Sequence, residues 1–324
     1  MAMSETSFQL PPAGEGQVYV TISALQGGHL TLPEALFITD AEPEKRATVP
    51  SLSFLIQHPH KHPSEQPPSM TRLIFDLGLK RDLTGYAPAQ QHHILQRQPV
   101  NLKPDVAESL RAGGLHPTDI DDIVVSHVHW DHIGTPSDFP NSRFVVGAGT
   151  LHVLEHGGGP LYPANIFNKN EFPLDRTYEL PPVDSSTATI AAKRQTEHQW
   201  RPLANFPAAL DYFGDGSVWI LDTPGHITGH VNLLARTGVR QWVYLGGDCC
   251  HDTRILRGES GIAMYDDGRG GQRSVHMDTD AAKTSLSRLR ELIKHAKEDK
   301  IEVIIAHDKQ WMERNPHKFF PGKL

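Results

Sequence analysis

Asp121-Asp122-Ile123-Val124-Val125-Ser126-His127-Val128-His129-Trp130-Asp131-His132 is the stretch that decides how this chain folds and what it can do. Ile120–Val125 is apolar and β-branched, which predicts a buried strand. Just past its end, three imidazoles and a carboxylate fall between His127 and His132. Side chains two apart in an extended backbone share a face, so His127 and His129 project to one side, and Asp131 and His132 turn toward a second point. Imidazole and carboxylate are ligands that Zn²⁺, Fe²⁺ and Mn²⁺ accept, and without a cysteine they suit a catalytic site with open positions rather than a closed structural one. A single histidine here would read as a surface cap; four donors directly after a buried strand do not.

Three more candidates follow predicted strands. Thr223-Pro224-Gly225-His226-Ile227-Thr228-Gly229-His230 comes after Val218–Leu221, Gly246-Gly247-Asp248 after Trp242–Leu245, and Ala306-His307-Asp308 after Ile301–Ala306. All can meet at one edge of a sheet structure. Further strands are expected at Val18–Ala24, Ala35–Ile38, Ser53–Gln57, Arg72–Leu77, Arg143–Val146 and Val231–Ala235, with helices at Pro104–Ala112, from Thr150, and over Thr279–Lys297. In the last, Leu286, Leu289, Leu292, Ile293 and Ala296 form the apolar stripe. Strands then a helix, twice over, predict an α/β fold of the αββα sandwich type.

The chain has 324 residues, with 38% hydrophobic and 21% charged, enough for a substantial core in one domain over 18–324 behind a loose polar tail at 1–17. The irregular stretches at about 155–213 and 252–278 read as insertions, lids or binding loops. The first carries Phe167, Phe172 and Trp200, the expected apolar walls of a substrate pocket. His58, His60 and His62 lie in a His-rich stretch that reads as a rim loop. A net charge of −7 provides no global field for nucleic acid or an anionic membrane, and no apolar run approaches the ~18–20 residues that span a bilayer. The start lacks a secretory pattern, and Cys249-Cys250 cannot staple distant segments, so a reducing cytoplasm is the expected setting. Histidine is the outlier, with 20 residues.

His127-x-His129-x-Asp131-His132, Thr-Pro-Gly-His226, Gly-Asp248 and the late His307, spread over most of the chain, resemble the metallo-β-lactamase superfamily in its dinuclear, lactonase-like branch. Phe75-Asp76-Leu77-Gly78 is similar to the strand end beneath the metals in that family. The resemblance implies two divalent metal ions, zinc foremost, with Mn, Fe or Co as alternatives. His127, His129 and His226 would hold one, and Asp131, His132 and His307 the other. Asp248 would bridge both, and His230 and Asp76 would orient ligands by hydrogen bonding. At this point His230 remains an alternative to His226 as the ligand.

Within the superfamily, Asp248 argues against the antibiotic-type lactamases. The 17 residues after His307 leave no room for the helical domain of glyoxalase-II-like thioesterases. The expectation is therefore a metal-dependent hydrolase that opens a small cyclic ester by metal-bound hydroxide, similar to the N-acyl homoserine lactone hydrolases. A lactamase opening a γ-lactam or a cyclic carbamate of the benzoxazolinone type is the alternative, ahead of a thioesterase or a non-catalytic relic. The partner is a small cyclic ester or amide, and a homodimer is left open. One position departs from the lactonases: His251 stands where many carry a tyrosine. Asp248 and His251 are the candidate proton donors to the leaving group, beside Asp131 in the catalytic set.

Overall fold

The computed structural model describes residues 8–59 and 69–324. One sheet comprises β1 (Thr21–Pro33), β2 (Arg46–Pro59), β3 (Met70–Phe75), β4 (Asp122–Val125), β5 (Arg143–Val146) and β6 (Thr177–Glu179), side by side in chain order. The other contains β7 (Arg201–Leu203), β8 (Phe206–Asp211), β9 (Val218–Asp222), β10 (Val231–Gly238) and β11 (Gln241–Gly246). A separate hairpin, β12 (Tyr265–Asp266) and β13 (Gln272–Arg273), precedes β14 (Lys300–Ile305), which joins the second sheet beside β11. The helices are α1 (Pro88–Leu95), α2 (Val106–Ala112), α3 (Thr150–His156), α4 (Ser185–Ile190), α5 (Thr253–Arg257), α6 (Thr279–His295) and α7 (Lys309–Arg314).

Period-two alternation builds the layers. Val124 packs with Phe54, Ile220, Leu233 and Ile304 between the sheets. Its neighbours Ile123 and Val125 face outward with Ile74 against Val106 and Leu110 of α2 and Val153 of α3. Leu234 and Tyr244 face the other way, against Leu286, Leu289 and Leu292 of α6. The result is the αββα sandwich expected from the strand-and-helix order. α6 starts where Asp278 caps it, accepting from the Asp280 and Ala281 N–H groups. Ile293, expected in its apolar stripe, is 42% exposed.

The second sheet is antiparallel except where β14 runs parallel to β11, whereas in the first β1, β2 and β3 pair antiparallel and β3, β4, β5 and β6 run parallel to one another. Parallel strands deliver their carboxyl ends to one side, so residues following β3, β4, β11 and β14 can converge there. Gly27 and Gly28 form a bulge in β1 rather than ending it, and β1 therefore runs on to Pro33. The strand expected at Ala35–Ile38 is instead a 3₁₀ turn, Glu34–Leu36. Residues 155–213 are not structureless, because they supply β6 and β7, an edge strand of each sheet, and β8 beside β7. Residues 8–17 are not a loose tail either: Leu10 is buried and the Pro11 carbonyl accepts from Arg236. Residues 1–7 of the expected tail lie outside the described residues, as do His60 and His62. His58 belongs to β2, with Nε2 2.8 Å from Asp215 Oδ2.

Candidate metal centre

Buried hydrogen bonds fix each donor at the converging strand ends. Asp76, just past β3 with φ of 63°, accepts from the Ser126 N–H (2.6 Å), the Ser126 hydroxyl (2.7 Å) and His132 Nδ1 (2.9 Å). His307 Nδ1 donates to the Pro50 carbonyl at 2.8 Å. His132 and His307 thus have their Nδ1 occupied and turn Nε2 inward, the arrangement that outer partners impose on metal-binding imidazoles. Ser51 Oγ donates to the Asp131 carbonyl and holds that loop on β2. His230 is not among the inward-facing donors. Its Nδ1 donates to the Thr223 carbonyl (2.9 Å) and its Nε2 accepts the Asp248 N–H (3.1 Å), so it orients Asp248 while His226 faces the centre.

Two donor groups result. His127, His129, His226 and Asp248 form one, and Asp131, His132 and His307 the other, with the donor atoms of each within 4.8 Å of one another. His129 Nδ1 lies 3.1 Å from His127 Nε2 and 2.8 Å from His226 Nε2. Nitrogens sharing one tetrahedral zinc at 2.0–2.1 Å stand about 3.3 Å apart, close to these spacings. Asp248 lies between the groups. Its Oδ2 is 3.6 Å from His127 Nε2 and 3.4 Å from His226 Nε2, and its Oδ1 is 3.3 Å from His132 Nε2 and 3.2 Å from His307 Nε2. Among the described residues, buried Asp248 Oδ1 and His132 Nε2 complete no hydrogen bond of good geometry, even with each other at 3.3 Å, a costly state for polar atoms unless a cation satisfies them. Together with the all-N/O donor chemistry, this fits divalent cations.

For the three imidazoles of the first group the electrostatics agree. Burial pulls the His127 and His226 imidazoles well below their ordinary range and His129 down to about 4, which leaves their lone pairs free near pH 7. Burial works against the charge of Asp248, yet the imidazoles of His251, His132 and His307 hold its carboxyl well below the usual range. Burial likewise opposes charge on His132, but Asp248 and Asp76 raise it.

A cavity of about 430 Å³ opens over both groups. His129, Asp131, His226, Asp248, His251 and His307 line its floor, and Leu30, Leu32, Phe37, Trp130, Tyr162, Ile166 and Phe167 form apolar walls. His251 reaches Asp248 Oδ2 with its Nε2 at 3.0 Å and packs on Phe37, ring centroids 4.7 Å apart. Of the three aromatics expected in the pocket, only Phe167 lines it, its ring nearly parallel to His129 at 6.5 Å. Phe172 is 4% exposed and packs on Phe144 in the outer core. Trp200 donates its indole N–H to the Pro181 carbonyl at 2.6 Å and packs against the core between the sheets. These two separate by experiment: Phe167→Ala should raise KM about 3- to 30-fold with metal retained, whereas Phe172→Ala should cost about 3–5 kcal/mol of stability in a denaturant melt.

His276 was not singled out by the sequence. It is buried behind His226, with the two Nδ1 atoms 3.1 Å apart, and the Ser274 hydroxyl accepts its backbone N–H. It belongs to the irregular stretch 252–278, where no periodicity marks it. The same stretch brings Tyr265, Arg273 and Val275 to the cavity. Gly225 explains how His226 is seated. With φ of 128°, it lies so close to α6 that an added Cβ would stand 2.1 Å from the Ala282 backbone nitrogen. Gly225→Ala should therefore cost about 2–4 kcal/mol in a denaturant melt and weaken metal binding through His226.

Comparisons with known proteins agree with this geometry. Residues 73–232 match the Metallo-beta-lactamase superfamily. Cytochrome P450 monooxygenase mpaDE of Penicillium roqueforti (strain FM164) is 29% identical over 283 residues, 82% of this chain and 30% of that protein. Gamma-lactamase FDB1 of Fusarium pseudograminearum (strain CS3096) is 30% identical over 206 residues, 62% of this chain and 45% of that protein. The chain thus spans between about a third and a half of the length of these relatives. A solved N-acyl homoserine lactone hydrolase, with N-hexanoyl-L-homoserine bound at its catalytic metal center, superposes with a TM-score of 0.61 over 95% of this chain and 100% of that one, at 18% identity. Donor clusters, fold and matched residues agree: the chain carries a metallo-β-lactamase superfamily domain over residues 73–232.

Proposed function

We propose that this chain is a dinuclear metal hydrolase that opens a small cyclic ester. One observation carries the reading: the two oxygens of Asp248 face different donor groups at the floor of an apolar cavity. His127, His129 and His226 would hold one cation, Asp131, His132 and His307 the other, with zinc foremost. Bound cations of this kind polarise a carbonyl and bring the pKa of water toward neutrality. The chain's own part is to hold the ring against the apolar walls, exclude water and deliver a proton to the departing atom. Asp248 and His251 would make that delivery, a reading supported by their 3.0 Å separation at the cavity floor.

Opening of a γ-lactam or cyclic carbamate is the second reading. His251 supports it, since a departing nitrogen needs the proton more than an alkoxide does, and so does the similarity to gamma-lactamase FDB1. A pH-stat screen of purified, metal-reconstituted protein against lactones, lactams, cyclic carbamates and thioesters tests both. Turnover is expected on a cyclic ester or amide. Turnover confined to thioesters, or none with both sites loaded, would overturn the proposal.

A further inference from the structure

Arg97 is the residue of the cavity that neither the fold nor the metal centre uses. Its backbone is pinned just past α1, donating to the Ile94 carbonyl (2.9 Å) and accepting from the Thr31 N–H of β1 (2.9 Å). The residue is 9% exposed and lines the cavity. Among the described residues, its guanidinium has no hydrogen bond and no carboxylate within ion-pair distance. A guanidinium held at the cavity wall without a protein partner is free to meet an anionic group that enters from outside.

Arg273 of β13 reaches the same cavity from the hairpin. Its guanidinium lies over the rings of Tyr162 (5.9 Å) and Tyr265 (5.2 Å), one Nη donates to the Tyr265 hydroxyl at 3.4 Å, and among the described residues its buried Nε has no hydrogen-bond partner. Among the described residues, the acidic side chains lining the cavity are Asp131 and Asp248, both within the donor clusters. With those committed to cations, the permanent charges left among the described lining residues are two guanidiniums, beside the neutral polar Gln90, Gln96 and Tyr265 and the apolar walls. The forked, planar face of arginine matches a carboxylate in two parallel hydrogen bonds.

We infer that the substrate is an anion, a ring-fused cyclic ester or amide carrying a carboxylate, which Arg97 binds directly with Arg273 as the second cationic contact. This rests on the ring-opening reading above, so the test separates the two. Holoenzyme is assayed on dihydrocoumarin and on a dihydrocoumarin bearing a ring carboxylate, and benzoate binding is measured by calorimetry against benzamide. The carboxylated lactone should be preferred in kcat/KM. Arg97→Gln should cut that preference about 10–100-fold and weaken benzoate by a similar factor, with metal content intact. Arg97→Lys should restore part of both, because a point charge remains without the fork. If benzoate binding depends on Arg97 but neither lactone is opened, the anion site stands and the ring-opening reading falls. If both lactones are opened and Arg97→Gln slows them equally, with benzoate no tighter than benzamide, the anion site is refuted and the ring-opening reading survives.

Discussion

Asp248→Ala is expected to empty both metal sites together and to lower kcat/KM by about 10³–10⁴-fold, the scale of losing several kcal/mol of charge stabilisation. The reason lies in its position: one oxygen serves His127 and His226, the other His132 and His307. Removing an outer hydrogen-bond partner of a metal ligand costs about 10–100-fold in affinity, and loss of a bridge should exceed that at each site. Elemental analysis after reconstitution and dialysis reads the effect directly. Cation-dependent stabilisation supplies a second measurement, since binding to the folded state alone raises the melting temperature with metal concentration. That rise should vanish in Asp248→Ala. A variant that keeps one cation at full occupancy would mean that Asp248 serves a single site, and one that keeps both would end the bridging reading. Asp248→Asn preserves volume but not charge, so it distinguishes loss of the carboxylate from collapse of the surrounding loop.

The part of the centre written in one short segment was legible. His127 to His132 sit in six consecutive residues after a β-branched strand, so spacing alone places four donors at one strand end. The convergence of Asp248 and His307 could be anticipated too, because each follows an apolar run that must be buried and therefore lies in a sheet. What escaped depends on contacts distant in sequence. Nothing local distinguishes Phe167, which stacks on His129, from Phe172, which packs on Phe144: both are aromatics in a Gly- and Pro-containing stretch. His276 and Arg97 become conspicuous only when their neighbours are known, the one by its approach to His226 and the other by a guanidinium with no partner among the described residues.

Short edge strands failed for another reason. β6 and β7 have three residues each and β7 contains a proline, so neither presents enough alternation to rise above loop composition. They form only because a sheet already stands beside them. The same holds for residues 8–17, whose polar composition conceals one anchor, buried Leu10. The exposed Ile293 errs in the opposite direction: an apolar residue one step beyond Leu292 satisfied the spacing on paper while α6 turned it to solvent.

His251→Ala should lower turnover on a lactam or cyclic carbamate about 10²–10⁴-fold, the usual cost of losing a general acid, and on a lactone by less than about tenfold. The asymmetry follows from the leaving atoms. An amide nitrogen departs only if protonated as the bond breaks, whereas an alkoxide can nearly leave unaided. The proposed role rests on position: His251 Nε2 is 3.0 Å from Asp248 Oδ2, its ring is nearly parallel to that of His307 at 5.9 Å, and Phe37 packs against it. The ring lines the cavity, so a proton held there can reach a bound substrate directly. His251→Tyr would install the residue that many lactonases carry at this position and should shift preference toward esters. Because His251 touches Asp248, metal content must be measured in both variants. Equal slowing of ester and amide with both cations retained would assign His251 to holding Asp248 and Phe37 in place. Asp248 would then be the remaining donor, and the lactam reading would lose the residue that supports it.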